Sequence, residues 1–424
     1  MSSSRHALAA CGVVRTTSAA GLTGIYLSLA AGSAVATDYQ FNPRLELAGG
    51  YDDNANLAVT GVNKIASSEA MADARVELVA RELNWAWHVT PEARGTWYPD
   101  HSDLDSNGEF VYLNGERRGR RYTVSLNGYG ASQSLLTSYL PTANIGTGLG
   151  IPEPGTTLVT PGSIRQNLGY LTPSYTFEMT PRSSLELTAG YTDATYSHEL
   201  QGGYVGYQNL TGAAGLVLAP SLSGSLTLRA TAADFRPGLG LKTDTYGAEA
   251  QWDGKFSATK QYYLRIGAER TDFSGLVTGA PAVSSTTNWS GGVGTRWTYR
   301  VTEIFADATR NVAPTAQGYA VNQDQLRLRL ARRFTPRFAG FLGVRTIYEE
   351  PLRAAVAPTV RVQHYSYGTT GFEWRVQREC SVIGAYDFKD YHYGGTSGHA
   401  NSIQVSIVYE PHRPAEGPAI TVGY

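Results

Sequence analysis

The sequence predicts an all-β chain closed into an antiparallel transmembrane β-barrel, most simply of 18 strands, and three observations carry that prediction. Apolar and polar residues alternate with a period of two along the chain, which gives each strand one apolar and one polar face. The connections between these segments fall into a short and a long class that take turns. The third observation is composition: 424 residues include 27 Tyr but only 3 Met, and only 5 of the 35 basic residues are Lys. Strand formers are plentiful and helix formers scarce.

Alternation is clearest at residues 225–232, where Leu226, Leu228, Ala230 and Ala232 face away from Thr227, Arg229 and Thr231. It recurs at 184–191, 262–271, 325–333 and 402–409. Tight turns are read at Thr180-Pro181-Arg182, Ala219-Pro220-Ser221, Ala258-Thr259-Lys260, Val301-Thr302-Glu303, Thr335-Pro336-Arg337 and Gln377-Arg378-Glu379. They recur roughly every 40 residues, with one longer polar connection between each pair, so each unit holds two strands of about a dozen residues. A propeller blade has a similar period but needs four short strands. Unequal connections on the two sides describe a transmembrane barrel. Thr90-Pro91-Glu92 imitates the tight turns, so a count of 16 strands stays open between Ala70 and Arg120.

Residues 1–36 read as a signal peptide: Arg5 and Arg15 precede a mildly apolar stretch, and Ala34-Val35-Ala36 offers a small-residue cleavage site. Gly21, Thr23, Gly24 and Ser28 dilute that stretch below what a membrane anchor needs. Residues 37–411 are then the barrel, and 412–424 a periplasmic tail or the end of the closing strand. Cleavage removes Cys11 and leaves Cys380 as the single mature thiol, so no internal disulfide is expected.

Aromatic residues gather at strand ends. Tyr51, Trp97, Tyr191, Tyr348 and Phe388 fall on the loop side, and Trp252, Phe256, Trp297, Tyr299, Trp374 and Tyr409 on the turn side, as two interfacial girdles would require. The opposite faces are too charged for a dry core. A water-filled lumen accommodates them, and the expected pore-lining residues are Arg229, Glu249, Arg265, Glu269, Arg296, Arg327, Arg329, Arg345, Glu373 and Arg375. Arginine in place of lysine suits guanidinium–carboxylate ladders, with surplus arginines offered to anionic solutes; pairing with lumen acids alone is the other reading.

One connection breaks the length pattern. Residues 136–163 are rich in Gly, Thr and Pro and carry a single charge, Glu153, beside the apolar Leu140, Ile145, Leu149, Ile151 and Leu158. Long loops without their own structure are commonly functional. This one is expected to enter the lumen and narrow it. Chemistry is otherwise hard to find. The histidines are scattered at spacings that imply neither a triad nor a metal site, and Asp390-Tyr391-His392 is the best of the weak candidates. Gly146-Thr147-Gly148-Leu149-Gly150 does not join a strand to a helix as a phosphate loop does, and no cofactor is called for. A net charge of -1 argues against a general grip on nucleic acid.

The opening run Phe41-Asn42-Pro43-Arg44-Leu45-Glu46-Leu47-Ala48-Gly49-Gly50-Tyr51-Asp52-Asp53-Asn54-Ala55-Asn56-Leu57 and the Thr-Pro turns at Thr180 and Thr335 resemble the β-barrel porin 2 family. The resemblance implies an outer-membrane porin of a Gram-negative bacterium, working at the outer-membrane step of exopolysaccharide export. Its implied partners are outer-membrane lipid, barrel-assembly machinery, a periplasmic polysaccharide export protein and an anionic polysaccharide. The chain departs from a usual barrel end: Tyr424 supplies an aromatic terminus, but Pro411, Pro414 and Pro418 precede it. A non-conducting adhesin or structural barrel, or an outer-membrane barrel enzyme, are the alternatives from other classes.

Overall fold

The computed structural model describes residues 37–56, 58, 63–134, 164–197, 204–221, 223–238, 242–274, 285–315, 318–352, 363–393 and 396–411. The predicted signal peptide, the loop at 136–163 with Leu140, Ile145, Leu149, Ile151, Glu153 and Leu158, and the tail at 412–424 lie outside the described residues.

Eighteen strands follow one another among the described residues. They are β1 (Asp38–Asp52), β2 (Ser67–Arg81), β3 (Trp85–Trp97), β4 (Ser106–Arg118), β5 (Tyr122–Ser134), β6 (Arg165–Thr180), β7 (Ser183–Tyr196), β8 (Tyr207–Ser221) and β9 (Gly224–Pro237), then β10 (Lys242–Ser257), β11 (Lys260–Ser274), β12 (Ser285–Tyr299), β13 (Thr302–Pro314), β14 (Ala320–Thr335), β15 (Phe338–Pro351), β16 (Gln363–Arg375), β17 (Cys380–Tyr393) and β18 (Thr396–Tyr409). Each pairs antiparallel with its sequence neighbours, and β1 pairs with both β2 and β18. The sheet therefore closes on itself and leaves no lateral edge, which satisfies backbone groups that lipid could not.

Register turns the alternation into two faces. Leu45, Leu47, Leu264, Ile266, Leu328, Ile403 and Val405 are exposed on the outside, where a sheet in water would not place them. Opposed residues on neighbouring strands share a face, so the pairs Arg229↔Glu249, Asp307↔Arg327 and Lys389↔Ala400 all point to the other side, into the barrel. An apolar exterior around a charged interior is the arrangement that lipid outside and water inside demand. The chain is thus a closed 18-stranded antiparallel barrel of the outer membrane.

The strands run 13 to 16 residues, longer than the roughly 9–11 that a tilted strand needs to cross the bilayer, so their ends stand clear of the hydrocarbon. Tyr51, Trp97, Tyr191, Tyr348 and Phe388 are exposed at the loop-side ends, and Phe256, Trp297, Tyr299, Trp374 and Tyr409 at the turn side. Arg300 turns the β12–β13 hairpin with φ of 49°, a left-handed conformation that a non-glycine residue adopts at a cost.

The ambiguous Thr90-Pro91-Glu92 lies inside β3 and is no turn. Pro91 offers no N–H, and the β2–β3 ladder is interrupted there, between the pairs Arg75↔Glu92 and Leu78↔Val89. The β3–β4 ladder runs unbroken through Pro91↔Val111, so the strand survives. Pro173 in β6 marks the same kind of gap, between Leu171↔Tyr191 and Ser174↔Thr188.

Candidate functional site

The lumen wall is the surface where this chain concentrates its chemistry. All ten expected lining residues lie on the inward face, but their surroundings differ. Arg229 on β9 reaches Glu249 on β10 at 2.6 Å and Glu186 on β7 at 3.3 Å. Arg265 on β11 approaches the other Glu249 oxygen at 3.7 Å and donates to the Asn311 side chain on β13. Glu269 stands two inward positions beyond Arg265 on β11, opposite Gly247 and Asn288. One carboxylate thus ties two guanidiniums across three strands.

A second centre forms at Asp307 on β13, only 4% exposed. Its two oxygens accept from Arg327 Nε at 2.6 Å and Nη2 at 3.1 Å, a fork that fits a carboxylate, and the Tyr263 hydroxyl donates to it at 2.7 Å. Tyr263 can lie there because β12 carries Gly294 beneath its ring; a β-carbon at Gly294 would collide with the ring. Arg345 sits directly across from Arg327 in the β14–β15 ladder, and Arg329 is the next inward residue on β14. Arginines therefore crowd this arc. Glu373 and Arg375 are 3.7 Å apart on β16, and Arg296 pairs with Glu303 at 2.8 Å in an exposed position near the turns.

The ten expected lining residues span β9 to β16, and the polar face of the earlier strands, marked by the same alternation, supplies the other arc. There Arg94 bridges Asp73 at 2.9 Å and Glu92 at 2.8 Å, Arg44 meets Glu46 at 2.8 Å, and Lys389 on β17 meets Asp52 at 3.2 Å. Glu69 and Asp387 face the lumen beside them. Between the two charged arcs, Phe110, Tyr112, Tyr129 and Tyr170 climb the inner wall of β4 to β6. Tyr129 packs 5.1 Å from Tyr112 and 5.5 Å from Tyr170 by ring centroids. The signal for both was present: the same alternation that marks Arg229 marks Asp73, Glu92 and Tyr129. Asp390 and His392 lie on the outward face and take no part in the lumen.

No family model matches the sequence, and no curated protein matches it. Among solved structures the chain is similar to OccK2 (OpdF) of Pseudomonas aeruginosa, with a TM-score of 0.46 at 9% identity over 88% of this chain and 98% of that one. It is similar to OccK11 (OpdR) of the same organism, with a TM-score of 0.43 at 12% identity over 87% and 95%. A third similarity is to BauA, the ferric preacinetobactin receptor from Acinetobacter baumannii, with a TM-score of 0.44 at 10% identity over 88% and 81%. Eighteen strands, an apolar outer band and a charged inner wall make this chain a closed antiparallel β-barrel of the outer membrane.

Proposed function

We propose that the barrel conducts a hydrophilic solute through its lumen, which Arg229, Glu249, Arg265, Glu269, Arg296, Arg327, Arg329, Arg345, Glu373 and Arg375 line. The observation that carries this reading is the pair of charged arcs on the inner wall: barrels of about 16–18 strands leave room for an aqueous channel, and dry charges would not be tolerated there. On β14 and β15 the inward arginines Arg327, Arg329, Arg333 and Arg345 stand against Asp307 and Glu349, so this arc favours anions. The solute is an anionic polysaccharide on its way out, received from a periplasmic export protein; the resemblance of the first strand and the Thr-Pro turns supports this assignment.

Purified protein in planar bilayers should give discrete conductance steps, and liposomes containing it should release anionic oligosaccharides faster than neutral ones of equal size. Ion conductance without any passage of oligosaccharides would remove the polysaccharide and keep the channel. A silent bilayer would favour a non-conducting structural barrel, for which the closely packed inward aromatics Phe110, Tyr129, Tyr207 and Phe235 speak.

A further inference from the structure

We propose that His364, Asp390 and His392 form a binding site for a zinc-class divalent ion on the outer wall of the barrel, above its loop-side aromatic girdle. The three come together through register. His364 on β16 is directly opposite His392 on β17, and Asp390 lies two residues before His392 on the same face. A slip of one residue in this ladder would scatter them. Their ligand atoms all lie within 4.8 Å of one another. His392 Nδ1 is 3.2 Å from the Asp390 carboxylate, and the two imidazole rings are 5.8 Å apart by centroids.

Zinc holds its donors at about 2.0–2.2 Å in a tetrahedron, which sets them roughly 3.4 Å apart. The Asp390–His392 edge already has that length, and small side-chain rotations close the other two. Ser366 Oγ lies 3.3 Å from His364 Nε2 and 3.2 Å from Thr346 Oγ1, the kind of outer partner that orients a ligating imidazole. Two nitrogen donors and one carboxylate suit zinc and its neighbours, whereas calcium and magnesium take oxygen ligands. Three protein ligands leave a position for water.

Position along the strand fits a site in water. Outward residues of β17 run Val382, Gly384, Tyr386 and Phe388 before Asp390 and His392, so the cluster begins where the apolar band ends. His364 and Asp390 are half-buried, and His392 is exposed and open to an arriving ion. This site is independent of conduction, because it faces away from the lumen.

The test is calorimetric titration of the detergent-solubilised full chain with zinc chloride. One zinc ion per chain is expected, unaffected by excess calcium and weakened by about tenfold or more in His364→Ala and in His392→Ala. His88→Ala, on the inner face of β3, should leave it unchanged. Absence of zinc binding, displacement by equimolar calcium, or undiminished binding in the double variant would each overturn the site. Should the variants fail to assemble, the unaltered protein still decides: zinc should shield His364 and His392 from diethyl pyrocarbonate, read by mass spectrometry, and equal acylation with and without zinc would overturn the proposal.

Discussion

Replacing Asp307 by Asn should both weaken the barrel and make it more anion-selective. The carboxylate is 4% exposed and receives three hydrogen bonds, two from Arg327 and one from Tyr263. Removing one partner of a fully buried pair costs about 3–5 kcal/mol, but the Arg327 side chain is 28% exposed to the lumen, so water recovers part of the loss. A cost of about 2 kcal/mol follows, since an amide oxygen still accepts one bond. The lumen wall then carries one more net positive charge. At about 6 Å in water a unit charge attracts an anion by about 0.7 kcal/mol, reduced by physiological salt to about 0.3 kcal/mol, or nearly twofold in local anion concentration. The assays are the midpoint of the heat-induced gel-mobility shift and the reversal potential across a tenfold salt gradient. A reversal potential that stays put, or moves toward cations, would refute the placement of this cluster on the conducting path.

Charge reversal of both Arg327 and Arg329 to Glu should carry selectivity toward cations, read in the same bilayer measurement. Arg94→Met strands Asp73 and Glu92, whose side chains are 8% and 2% exposed, and should lower stability by about 3–5 kcal/mol; adding Asp73→Asn and Glu92→Gln should restore most of it in heat-shift gels. Arg300→Gly relieves the left-handed turn residue and should stabilise the β12–β13 hairpin by about 1 kcal/mol, measured by urea-induced unfolding in detergent. Asp53, in the turn after β1, accepts hydrogen bonds from the Asn401 backbone at 2.7 Å and side chain at 2.8 Å. Burial pushes its carboxyl up, but the Asn401 bonds and nearby Lys64 outweigh burial and hold it below the usual carboxylate range. A lowered value means the tie is complete above about pH 4 and lost as pH falls through the folded value, so Asn401 amide exchange should gain an acid-induced opening that Asp53→Asn lacks.

Most of the wall was legible because each strand repeats the same two-residue code, and membrane and lumen impose opposite demands on its faces. Strands read from Leu226-Thr227-Leu228 or from Ile403-Gln404-Val405 needed no tertiary knowledge. Thr90-Pro91-Glu92 misled for a physical reason: a proline inside a strand looks like a turn until the partner strands show that only one ladder is lost. What the sequence withheld is anything decided by which strands are neighbours. Glu186 and Arg229 sit two strands apart, as do Tyr263 and Asp307, and His364 meets His392 only through register. Asp390-Tyr391-His392 was visible as a fragment, and its missing third ligand was not.

The joint between β1 and β18 sets the order in which this molecule can be made. Its ladder, Leu45↔Tyr409 through Asp52↔Ser402, unites residues about as far apart in the chain as the barrel allows, whereas every other joint links consecutive hairpin partners. Hairpins can zip as they arrive, but the ring stays open until its final strand is delivered. Until then both rims expose unpaired amides and carbonyls, a template for the wrong chain as readily as for the right one. The polypeptide therefore stays unclosed until β18 arrives, and a truncation that removes β18 would leave an adhesive ribbon, even though every residue of the lumen from Arg44 to Arg375 would still be present.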